Sequence, residues 1–152
     1  MQILAVRVRG ERFGLPAENV VEILRAVAVS QLPGTPEVIS GVINIRGDTV
    51  VVIDPAVRFG NPEAPVKPDD NFVLVNTASR TIAIRVDIAE DLIEVDDDAL
   101  TSASSTSATL DKVHGVAAMP DGALVIYDVA AFLTQAEDEA LAEALATATI
   151  AR

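Results

Sequence analysis

The chain has 152 residues, 23 acidic against 11 basic side chains, a formal net charge of −12 and no cysteine. Half of it is hydrophobic, enough for one domain or for two small subdomains around a shared core. The charge and the lack of any run of more than two basic residues exclude nucleic acid and an anionic membrane surface as expected partners, while the missing cysteines exclude disulfides, thiolate metal sites and a cysteine nucleophile.

Val, Ile, Leu and Ala dominate the apolar residues, with four Phe, one Tyr and no Trp. β-Branched side chains pack well on a pleated surface, so a β-rich fold is expected. Leu4, Val6 and Val8 alternate with Arg7 and Arg9, the period of a half-buried strand. The turn-like Arg9-Gly10-Glu11-Arg12 then leads to Phe13 and Leu15 in a return strand. The N-terminus lacks the signal-peptide pattern, and no stretch approaches the ~20 apolar residues of a membrane span. Pro16 suits a first helical turn, so a short helix is predicted from Ala17 to about Leu24. Pro33-Gly34-Thr35-Pro36 marks a loop. Two apolar runs then flank Arg46-Gly47-Asp48, predicting two strands joined by a tight turn with Gly47 at positive φ. One helical turn is expected at 55–59 and an exposed connection at 61–70. A second hairpin is predicted around Thr77-Ala78-Ser79-Arg80, with a weaker strand at 91–95. Residues 96–111 read as a long loop, followed by a third hairpin around Pro120-Asp121-Gly122. Ala130 to Ala148 has Phe132, Leu133, Leu141 and Leu145 at helical spacings, and reads as one or two helices.

The chemistry of an enzyme is missing from this pattern. His114 is the single histidine, and no second His or Cys stands near it to form a zinc site. Phosphate-binding glycine loops and the G-x-S-x-G nucleophile turn do not occur. Asp96-Asp97-Asp98 lacks the spacing and central Gly of a calcium loop and reads as a solvated acidic segment. No catalytic residue, metal site or cofactor is expected.

The stretch from Leu32-Pro33 through Gly41-Val42-Ile43-Asn44-Ile45-Arg46-Gly47, with the strand Val50-Val51-Val52-Ile53-Asp54 after it, resembles the signature of CheW-like domains. Val20-Val21-Glu22-Ile23, Ile82-Ala83-Ile84-Arg85-Val86-Asp87, His114-Gly115-Val116 and Leu124-Val125-Ile126-Tyr127-Asp128 resemble further elements of that family, in its order. Two glycines common in the family are absent, one at Thr81 or Ala83 and one at Ile88-Ala89. The resemblance implies a mainly β fold of two intertwined five-stranded SH3-like barrels, with short helices and a C-terminal helix. It also implies a CheW-like domain over 1–135 and an Ala-rich helical tail over 136–152.

The resemblance further implies a cytoplasmic, non-catalytic adaptor that couples the signalling tip of a chemoreceptor (a methyl-accepting chemotaxis protein) to the regulatory domain of a CheA-type histidine kinase. Receptor contact falls on Glu22 and Arg46 with the motif neighbours Asn44 and Ile45, while Gly41 and Gly47 are expected as structural turn residues. Arg46 is a planar, permanently charged donor able to pair with Glu22, and that pair reads equally as a lock between helix and barrel. Two other functions stay open: a CheW-like scaffold in another kinase pathway, such as gliding or twitching, and a small ligand-sensing β-barrel. Few aromatic and convergent polar residues weigh against a well-made pocket in the latter.

Overall fold

In a computed structural model, residues 1–102 and 113–150 are described. Turn chemistry sets the hairpins. β1 (Gln2–Val8) and β2 (Glu11–Pro16) are joined by Arg9-Gly10, and β4 (Ile39–Ile45) and β5 (Asp48–Ile53) by Arg46-Gly47. Both two-residue turns carry positive φ at both positions, 51° and 83° in the first, 51° and 90° in the second, the pattern whose twist matches antiparallel strands. β6 (Asn71–Asn76) and β7 (Thr81–Val86) form another hairpin, as do β10 (Val113–Met119) and β11 (Gly122–Tyr127). β3 (Val20–Arg25), β8 (Ile88–Glu94) and β9 (Leu100–Ser102) complete the strands, and the helices are α1 (Pro55–Arg58) and α2 (Gln135–Ile150).

The strands form a six-stranded sheet, β8-β1-β2-β11-β10-β9, and a five-stranded sheet, β3-β6-β7-β5-β4. Each sheet curls round a small core of its own, Ile43, Val52, Phe72 and Leu74 in the five-stranded one and Ile3, Ala117, Leu124 and Ile126 in the other. Between them lies a larger core that takes Leu4, Val6, Phe13 and Leu15 from one sheet, Val51, Ile53, Val73 and Ile84 from the other, and Phe132 and Leu141 from the C-terminal segment. Strands buried on both faces explain the unbroken apolar runs at 50–53 and 72–75. They also correct the reading of β1 as half-buried, because Ile3 and Ala5 on its second face are fully buried too. Among the described residues, no continuous ladder closes either sheet into a barrel. In the five-stranded sheet the segment that follows edge strand β3 is instead tied to the other edge, β4, by an isolated bridge from Ser30 to Val42, with N···O distances of 2.9 and 2.8 Å.

The helix expected from Ala17 to Leu24 is not formed. A short 3₁₀ turn occupies Ala17–Asn19, and Val20–Arg25 is a strand paired with β6. Val-Val-Glu-Ile-Leu is apolar at both periods, and its three β-branched residues already disfavour helix. An open backbone edge on β6 decides the matter by offering a partner for every second amide. Burial alternates along β3, with Val21 and Ile23 turned outward. The weaker strand begins earlier than expected, at Ile88. Within the expected 96–111 loop a 3₁₀ turn spans Asp97–Ala99 and β9 follows, and the remainder of that expectation falls outside the described residues.

The two sheets repeat one another residue by residue. Val52 pairs in parallel with Ala83, and Ile126 pairs in parallel with Gly14. Ile39-Ser40-Gly41-Val42 on β4 matches Val113-His114-Gly115-Val116 on β10, and each has a register shift just before its glycine. Asp54 caps α1 through the Ala56 amide at 3.0 Å, and Asp128 caps the following 3₁₀ turn through the Ala130 amide at 2.9 Å. The edge strands correspond as well, Ile23 of β3 matching Leu92 of β8, both exposed.

Candidate functional site

Glu22 lies on β3 and Arg46 in the β4–β5 turn, at opposite edges of the five-stranded sheet. They meet because the sheet curls. Arg46 Nη2 donates to Glu22 Oε2 at 2.7 Å and Nη1 donates to Oε1 at 3.2 Å, a two-pronged pair matched to the guanidinium fork. The Arg46 side chain remains 72% exposed. The hydrogen bonds from Arg46 hold the Glu22 carboxyl below the usual carboxylate range, and the same bonds push the Arg46 guanidinium further up. With both groups in water the pair adds little to stability. It therefore clasps two strand edges loosely and presents a cation on the outside of the curl. The reading of this pair as a lock between helix and barrel is corrected to that extent, since Glu22 sits on a strand.

The neighbours divide between support and surface. Asn44 Oδ1 accepts the Gly47 amide at 2.9 Å across the turn. Ile45 is half-buried against the small core of the five-stranded sheet. Gly47 holds φ at +90° with open space where a Cβ would stand, so its requirement is conformational. Gly41, expected at a turn, lies within β4, at φ +150°, where a Cβ would stand 2.3 Å from the Ser30 carbonyl oxygen. Its absent side chain is what admits the Ser30–Val42 bridge. Val21 and Ile23, 55% and 45% exposed, flank Glu22 along the edge strand and, by the alternation of the strand, face away from its carboxylate. The strand edge thus carries an exposed cation paired with a partly buried carboxylate on one face and two apolar side chains on the other, features suited to binding.

One polar cluster was not singled out in the sequence. Arg85 on β7 is buried, with Nε bonded to Asp70 Oδ2 at 3.1 Å and Nη1 at 3.4 Å from Asp54 Oδ2. Its remaining donors reach the carbonyls of Ala64 and Pro65 at 2.6 and 2.7 Å, fastening the 61–70 connection over the sheet. A charged residue inside the apolar run Ile82–Val86 was the available signal. A cleft of about 1080 Å³ lies between that connection and residues 26–40. Its buried carboxylate, Asp54, is already bonded to Arg85 and Ala56. His114 is exposed on β10, and no group of three metal-binding side chains occurs among the described residues. No helix among the described residues is long and apolar enough to cross a membrane.

Comparison with known proteins places this architecture. The family of CheW-like domains matches residues 2–137, and the chain belongs to that family. The chemotaxis protein CheW of Klebsiella aerogenes is 28% identical over 140 residues, covering 90% of this chain and 83% of its own. The protein FrzA of Myxococcus xanthus is 34% identical over 86 residues, covering 57% of this chain and 54% of its own. The crystal structure of the scaffolding protein TtCheW from Thermoanaerobacter tengcongensis superposes with a TM-score of 0.77 at 26% identity, over 88% of this chain and 93% of that one.

Proposed function

We propose that this chain is a non-catalytic coupling adaptor of bacterial chemotaxis, acting in the cytoplasm, which binds a chemoreceptor signalling tip and the regulatory domain of a CheA-type histidine kinase. Membership of the CheW-like family supports the role, and the Glu22–Arg46 pair, with Val21 and Ile23 flanking Glu22 along the strand, carries the choice of receptor surface. Arg46 contributes the cation, Glu22 orients it, and the apolar edge of β3 adds contact area. An adaptor of this kind acts by mass action, since holding one partner raises its effective concentration near the other. Its surface needs complementarity and no chemical step.

The test measures binding of the full chain separately to a soluble receptor signalling fragment and to the kinase regulatory domain. Both are expected to bind, and Arg46→Glu is expected to weaken the receptor complex while the thermal melt stays cooperative. The charge-swapped double variant E22R/R46E separates two roles. It rebuilds the pair but moves the cation onto β3, so receptor binding stays weak if Arg46 touches the receptor. Full recovery in the double variant would assign the pair to joining sheet edges alone. Binding to neither partner, with an intact melt, would move the function to a scaffold of another kinase pathway.

A further inference from the structure

The chain contains two Arg-Gly turns of the same backbone shape and uses their arginines differently. Arg9 and Arg46 both sit at φ 51°, a left-handed conformation uncommon for a residue with a Cβ. Something must hold each turn there. The first is fixed to the body of the molecule: Asp87 Oδ2 accepts the Arg9 amide at 2.8 Å, and the Arg9 guanidinium donates to the Pro62 carbonyl at 3.0 Å. Arg7, two residues before Arg9, donates to the Gly10 carbonyl at 3.4 Å. The Arg9 guanidinium thus rests against the backbone of the 61–70 connection. In the second turn the residue two before the arginine is Asn44, whose Oδ1 takes the Gly47 amide at 2.9 Å. This bond is local and draws on no other element, so the turn is held without the Arg46 guanidinium, which pairs with Glu22 while staying 72% exposed.

We infer that Asn44 is a positioning residue: by bonding the Gly47 amide it holds Arg46 in its left-handed conformation and so aims the guanidinium, and it does not itself touch the receptor. The inference rests on the reading of Glu22–Arg46 as the receptor contact. An acceptor on a short side chain is what the role requires. Asp in place of Asn44 keeps that acceptor, whereas Ala removes it.

Four full-length variants test it, Asn44→Ala, Asn44→Asp, Arg46→Ala and N44A/R46A, by amide hydrogen exchange and by affinity for a soluble receptor signalling fragment. Asn44→Ala should speed exchange of the Gly47 amide and weaken binding by about two- to tenfold, the range for one lost hydrogen bond. Asn44→Asp should restore both. Against an Arg46→Ala background, Asn44→Ala should change affinity no further. An equal loss in both backgrounds would mean direct contact by Asn44 and would overturn the inference, as would unchanged Gly47 exchange in Asn44→Ala. If Arg46→Ala alone binds the receptor at full strength, the receptor-site reading fails and takes this inference with it. Gly47 exchange then still reports whether Asn44 holds the turn.

Discussion

Arg85 illustrates how one residue can be indispensable without lying at the binding surface. Its guanidinium is about as buried as the two carboxylates it faces, with side-chain exposures of 9% for Arg85, 6% for Asp54 and 5% for Asp70. Both carboxylates have second duties, Asp54 capping α1 and Asp70 accepting the Lys67 amide at 2.9 Å. Removing the cation leaves two facing buried carboxylates and frees the Ala64 and Pro65 carbonyls. Arg85→Met is therefore expected to lower unfolding stability by ~3–5 kcal/mol, the scale for breaking a buried ion pair from one side. Chemical denaturation checks this, and an unchanged midpoint would show that water already reaches the cluster. The contrast with Arg46 is one of solvation. Both arginines make two-pronged contacts, but only the buried one has had its water replaced by protein.

At the scale of elements, α2 is the best-anchored helix. Thr134 and Glu137 cap its start reciprocally, the Thr134 amide donating to Glu137 Oε1 at 2.8 Å and the Glu137 amide donating to Thr134 Oγ1 at 3.2 Å. Arg58 of α1 pairs with Glu137, and Arg80 at the foot of β7 pairs with Asp138. Burial pushes the Glu137 carboxyl up, but the Thr134 amide and the Arg58 guanidinium outweigh it and hold the group below the usual carboxylate range. A lowered folded value gives stability that is complete above the unfolded value, about 4.3 for Glu, and is lost as the pH falls through the folded one. The stability gap between the natural chain and Glu137→Gln should accordingly narrow below about pH 4. Urea melts at pH 7 and pH 3 check this, and an equal gap at both would remove Glu137 from the acid response. The sequence made such elements legible to different degrees. Turn chemistry exposed the Arg9-Gly10, Arg46-Gly47 and Pro120-Asp121 hairpins, and the ordered motif exposed the family. β3 was misread because its apolar residues satisfy both periods and the strand partner that decides lies some fifty residues away in β6. The Glu22–Arg46 pairing was legible as chemistry. Its position across two sheet edges was not, because curling of a sheet is a property of all its strands.

For the whole molecule, the decisive feature is that a repeated half is not an independent half. Gly41-Val42 and Gly115-Val116, with Asp54 and Asp128 closing their hairpins, give the two sheets one design. Yet the six-stranded sheet takes β1 and β2 from the start of the chain and β8 to β11 from its end, enclosing in sequence the strands of the five-stranded sheet. Both sheets also line the central core, which α2 completes through Leu141, with no exposure. Neither sheet can therefore open without exposing apolar surface of the other, and unfolding should be a single cooperative transition. Leu141→Ala should lower its stability by ~2–5 kcal/mol without splitting it. The sharper test is Leu74→Ala, which damages a core private to the five-stranded sheet. If the shared core couples the halves, calorimetry of Leu74→Ala still gives one peak at lower temperature, with calorimetric and van't Hoff enthalpies equal. Two resolved peaks would mean that the six-stranded sheet survives alone, and that an adaptor of this design could loosen one binding surface while keeping the other folded.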